Sequence, residues 1–154
     1  MMVKTTILVL IVVIFGAGIY YGRFLFKKDV VREDLPEEMA AAVNKAKEGS
    51  FVEIDFIHKG SGRASLLESP GGHQILRLEE DFKVTNGPDL YVYLTKNPTP
   101  GKDKESLGDF INLGRLKGNE GSQNYEITED FTDYRTVVIW CQQFGVLFSY
   151  AELR

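Results

Sequence analysis

The sequence predicts a mainly β protein: an antiparallel β-sandwich or barrel-like domain, preceded by an N-terminal transmembrane helix and a short amphipathic helix. Three observations predict it. From Ser50 onward, about eight short apolar or alternating runs are separated by clusters of Gly, Pro, Asn and Asp, the pattern of strands joined by turns. No long helical periodicity interrupts them, which points to a sandwich or barrel. Before them, Thr5 to Gly22 is a run of 18 residues without a charge, between Lys4 and Arg23.

That run comes first in the chain. A membrane-spanning helix needs about 20 apolar residues, with a range of roughly 17–25. Thr5 to Gly22 reaches if Phe24 to Phe26 sit at the interface and Lys27 and Lys28 snorkel; Tyr20 and Tyr21 suit an aromatic belt. The alternative is a cleaved signal peptide with its small residues at Phe15 to Gly18, but the chain stays apolar beyond them. Arg23, Lys27, Lys28 and Arg32 follow the span and only Lys4 precedes it. Taken alone, the positive-inside rule would put the body in the cytoplasm.

Residues 29–49 read as a juxtamembrane helix or linker. Asp34 can cap it with Glu37 three residues on, Pro36 is tolerated in a first turn, and Gly49 stops it. Leu35, Met39, Ala42, Val43 and Ala46 recur at helical spacing. The predicted organisation is therefore an anchor over residues 1–28, this connector, and a β domain over residues 50–154.

Within the β domain, "FVEIDFIH" alternates Val52, Ile54 and Phe56 against Glu53 and Asp55. "RASLLES", the turn "PGG" and "HQILRLEE" follow, then "LYVYLT", "FINLGRL", "QNYEIT", "TVVIWC" and "GVLFSYAEL". The glycines of "GRLKGNEG", Gly114 to Gly121, read as turn residues.

Charge and motif content narrow the function. All 22 acidic residues but only 14 of the 18 basic ones lie from Asp29 onward, a net of −8. An acidic body argues against nucleic acid, whose phosphates need Lys and Arg. The phosphate-loop, zinc-protease and nucleophile-elbow motifs are missing, so an enzyme in its own right is the weakest reading. The carboxylates of Glu79 to Asp81 and of Glu129 to Asp133 sit in turn-like stretches without calcium-loop spacing. His73 follows a turn and reads as a solvated residue. His58 ends "FVEIDFIH" on its apolar face, either as a strand-end residue or as a ligand lacking visible partners. One cysteine makes neither an internal disulfide nor a Cys-rich zinc site, and no metal is assigned. Strand parity puts Cys141 with Val137 and Ile139 and puts Trp140 on the other face. Buried there, the thiol is a small hydrophobe; at the rim, where Gln142, Gln143 and Gly145 end the strand, it can be reached.

Three blocks are more specific: "NGPDLYVYL", "LGRLKGNEGSQNY" and "VVIWCQQFGVLFSYAEL". In this order they resemble the DM-thirteen domain, the electron-transfer module found beside DOMON domains in Skeletor-like proteins and alone in bacterial ones. The resemblance spans about Gly49 to Leu153. It implies an extracytoplasmic β domain with a redox role, the family's cysteine falling at Cys141. That thiol would act bare or would ligate a cofactor such as haem, with His58 as a second candidate ligand. The redox partner would be another chain, a DOMON-type or other haem protein. The competing expectation is a cell-surface interaction or adhesion module in which Cys141 is structural.

Overall fold

A computed structural model describes residues 22, 27–40 and 44–154. The predicted span, apart from Gly22, and the helix positions Ala42 and Val43 lie outside the described residues. Among those described, no helix is long and apolar enough to cross a membrane.

The described residues form eleven strands, β1 (Val30–Arg32), β2 (Asn44–Ser50), β3 (Gly60–Ser61), β4 (Arg63–Glu68), β5 (Gln74–Leu78), β6 (Lys83–Val84), β7 (Leu90–Thr95), β8 (Phe110–Arg115), β9 (Glu120–Glu126), β10 (Thr136–Cys141) and β11 (Val146–Glu152). One sheet runs β2-β4-β5-β9-β6-β3, with β1 paired to β9; the other runs β11-β10-β7-β8. Reciprocal hydrogen bonds between Glu48 and Arg154, both 2.9 Å, bring β2 against the end of β11. The two sheets curl into a nearly closed, mainly antiparallel barrel-like structure. The pairing is antiparallel throughout except for β1 with β9.

The interior is filled from both sheets, by Leu66, Leu76, Leu78 and Tyr125 on one side and Leu90, Val92, Leu94, Val137, Ile139, Cys141 and Phe148 on the other. The opposite face of β7 and β10 is also covered. Tyr93, Val138 and Trp140 pack there with Leu107 and Leu147, and Ile54 and Phe110 lie against them. Because β10 is buried on both faces, "VVIWC" is a continuous apolar run rather than an alternating one.

Two predicted elements are corrected. The amphipathic helix over residues 29–49 is not the spacer expected. Its helical part is α1 (Glu37–Ala40), four residues long. Either side of α1, the chain joins the sheet as β1 and β2. Leu35 and Met39 from the expected stripe pack on Leu67 and Ile75. Ala46 is instead exposed on β2, since the strand's hydrogen bonds to β4 outweigh a modest helical propensity. "FVEIDFIH" is not a strand either. Phe51 bridges to Ala151, after which the chain turns. The Asp55 carboxylate accepts the backbone N–H groups of Ile57 (3.0 Å) and His58 (2.8 Å). This local capping replaces ladder bonds and leaves Phe56 in solvent.

The glycines of "GRLKGNEG" do more than turn the chain. Gly121 lies within β9 at φ 91°. A Cβ there would collide with the Val31 carbonyl, and one at Gly118 would collide with the Asp29 carbonyl. These two glycines let the N-terminal segment lie against β9.

Candidate functional site

β10 ends at Cys141, whose register partners are Leu90 on β7 and Val146 on β11. The cysteine is 0% exposed. It shares the interior with Val137 and Ile139, and Trp140 lies on the opposite face, as strand parity predicts. Of the two placements the sequence left open, the buried one holds: the strand ends at the sulfur's residue, but apolar neighbours seal it from water.

The rim above it is polar and ordered. The Gln142 N–H donates to the Asp89 carbonyl at 2.9 Å, and the Gly145 N–H to the Cys141 carbonyl at 2.9 Å. Gln142 Nε2 donates to the Tyr93 hydroxyl at 2.7 Å, while burial pushes the Tyr93 phenol's pKa up. Arg115 Nη2 stands 2.6 Å from Asp89 Oδ1. That buried oxygen has no aligned hydrogen bond, so the contact is an ion pair. Arg115 Nε also reaches the Tyr91 hydroxyl at 3.2 Å, its guanidinium 5.4 Å from the ring centre. The Leu116 N–H donates to the Leu90 carbonyl at 2.9 Å. Each of the three specific sequence blocks thus places a residue at this end of the barrel.

A cleft of about 140 Å³ opens beside it, lined by Asn86, Pro88, Leu90, Arg115 and Asn119, with Asp29 from the N-terminal segment. That segment is held down by residues the sequence reading did not single out. The Asp29 N–H donates to Asn119 Oδ1 at 2.7 Å. Glu33 accepts both Lys117 Nζ (2.8 and 2.9 Å) and the Asn124 N–H (2.8 Å). Burial raises the Glu33 pKa, but the Lys117 and Asn124 bonds outweigh it and leave the carboxyl below its usual value. No local pattern marks Glu33, because its partners lie more than 80 residues away.

His58 is engaged elsewhere. Its Nδ1 is 3.0 Å from both Asp55 oxygens. That bond, with the backbone N–H groups, holds the Asp55 carboxyl well below the usual range. The imidazole meets the Phe148 ring edge-on at 4.6 Å. Among the described residues no hydrogen bond, ion pair or ring contact joins His58 to Cys141. His73 is a loop residue whose N–H donates to Ser69 Oγ at 3.1 Å.

These residues do not fit a haem. The sulfur is sealed in side chains, the His58 nitrogen nearest a carboxylate is taken, and the neighbouring cleft is below the roughly 300–1,000 Å³ of a typical ligand site. Among the described residues no group of three or more His, Cys, Asp or Glu could hold a metal ion.

No curated protein and no solved structure matches this chain. The family model described as "Electron transfer DM13" matches residues 50–153. Two-thirds of the sequence lies within that match, and the chain belongs to the electron transfer DM13 family.

Proposed function

We propose that this chain is a membrane-anchored, extracytoplasmic electron-transfer domain, and that electrons pass at the end of the barrel where β10 stops at Cys141. One observation carries the reading: the three specific blocks meet there, through Asp89, Arg115 and Gln142 at the strand end next to Cys141. Disulfide exchange is a poor fit, since a mixed disulfide requires a second sulfur to reach the thiolate. The step that balances is one-electron donation: the Cys141 thiol gives an electron to the oxidised haem partner and its proton to solvent, leaving a thiyl radical that a later electron and proton restore. No new bond forms at sulfur, so a sealed site is compatible with it. The redox partner is another chain, such as a DOMON-type or other haem protein.

A second reading is favoured by a specific observation. Complete burial of Cys141 among aliphatic side chains is also what a packing cysteine shows. The domain would then be a surface interaction module.

The experiment uses the full chain in detergent or liposomes, mixed with an oxidised haem protein whose absorbance reports gained electrons. Electron transfer predicts reduction of that haem by the wild type and none by Cys141→Ala, which leaves a small cavity and no orphan hydroxyl. Equal activity of the two, or none in either, favours the packing reading. Protease added to spheroplasts tests placement: the body is removed from outside if the reading holds and is protected until lysis if the basic flank decides orientation.

A further inference from the structure

The exposed apolar side chains are unevenly placed. Phe56 is 84% exposed, Ile57 55% and Phe144 64%. Phe144 lies in the turn between β10 and β11, whose Gln142 N–H bonds Asp89. After the Phe51–Ala151 bridge, the Val52 N–H donates to the Tyr150 carbonyl. The chain therefore runs antiparallel to β11, toward Val146, and turns at Asp55 to His58. Lys59 then exchanges bonds with Thr85, just before the Asn86–Asp89 loop. Phe56, Ile57 and Phe144 are thus tips of loops at one end of the barrel, the Cys141 end. The loops at the other end, between β7 and β8 and between β9 and β10, carry no exposed large apolar residue among those described.

The N-terminal segment arrives at the same end. The Lys27 carbonyl accepts Asn86 Nδ2 and Asn119 Nδ2. Only four residues separate Lys27 from the uncharged run that ends at Gly22. Five peptide steps span at most about 17 Å, against a polar interfacial zone of roughly 5–8 Å on each side of the bilayer core. Four of the described cations here are paired, Lys27 with Asp29, Lys28 with Glu120, Lys59 with Glu53 and Arg115 with Asp89. That pairing weakens attraction to acidic lipid and leaves apolar contact as the main driving force.

We propose that this end of the barrel is a membrane-contact face, with Phe56, Ile57 and Phe144 seated in the lipid interface and the Cys141 end held against the bilayer. The inference rests on the membrane anchoring proposed above. Scattered exposed apolar residues need no explanation, but three tips at the end where the chain enters from an apolar run form a directed surface. The body would then meet its redox partner at the membrane surface rather than in free solution.

The test places a fluorescent reporter at each tip. The full chain, as Phe144→Trp, Phe56→Trp or Glu129→Trp, is reconstituted into phosphatidylcholine vesicles with or without bromine on the acyl chains. The native Trp140 is buried and supplies a constant background. Bromolipid is expected to lower the added emission at least twofold at positions 144 and 56, to leave position 129 unchanged, and to act equally in 1 M salt. No quenching at 144 and 56, in protein that stays with the vesicles through an alkaline wash, overturns the contact face and leaves the anchor standing; those tips are then open to water or a protein partner. Equal quenching at all three positions also overturns it, since the body then has no preferred end. Protein that washes off defeats the anchoring reading itself, and this proposal with it.

Discussion

Glu33 shows how one side chain ties the N-terminal segment to the barrel. Its carboxylate holds Lys117 and the Asn124 N–H at once, and its pKa is lowered from 4.5. A carboxyl whose folded pKa is depressed stabilises the fold above its unfolded pKa. That contribution is lost as pH falls through the folded value. The Asn124 amide should therefore keep its hydrogen-exchange protection at pH 5 to 7 and lose it progressively below about pH 4.5, relative to its intrinsic rate. Glu33→Gln should remove this pH dependence. An Asn124 amide equally protected at pH 3 and pH 6 would show that the carboxylate contributes nothing there. At the same scale, Cys141 and Trp140 were legible from strand parity alone. The sealing of the sulfur was not, because it depends on Leu90 and Val146, which come from two other strands.

Elements with strong local patterns formed where the sequence put them: β4, β5, β7, β8, β10 and β11 lie within the predicted runs, while β9 begins at Glu120, three residues before its run. The failures have physical causes. "FVEIDFIH" had the right alternation, but the Asp55 carboxylate satisfies the next two N–H groups and bends the chain. The expected helix before Ser50 had capping residues and an apolar stripe, yet β4 offered Asn44–Ser50 an antiparallel ladder interrupted only by a bulge at Ala46. The glycine-rich block looked like a turn because its partner, β1, is a three-residue strand without a strong signal of its own. Clash and backbone strain are separable among these glycines. Gly121 and Gly72 both have positive φ, but only Gly121 faces a neighbouring carbonyl. Gly72→Ala should cost about 1 kcal/mol, the usual penalty for a side chain at such a φ. Gly121→Ala should cost clearly more in a denaturant melt, and should unprotect the Glu33 amide that bonds the Ser122 carbonyl at 3.0 Å. Equal costs would mean that β1 is not held tightly against β9.

The whole molecule is larger than its family match. Residues 27–48 precede the matched region yet supply β1, most of β2, and the Met39 side chain that covers Leu67 and Ile75. A soluble chain beginning at Lys27 should therefore melt cooperatively. One beginning at Gly49 bares the edge of β4, exposes buried leucines and should aggregate or melt without a sharp transition. Matching melts for the two would demote the N-terminal segment to an ornament of the fold. At this scale the sequence alone specified the β class and the family; it could not show that the segment between the uncharged run and the domain is part of the barrel, because the contacts that join it to the barrel are long-range. The central claim is that electrons pass at the Cys141 end. Voltammetry of the full chain in a lipid film on an electrode tests it most directly. The account predicts a reversible wave in the wild type that disappears in Cys141→Ala while the circular dichroism spectrum is unchanged. A wave of equal height in both proteins, or no wave in the wild type, would contradict it.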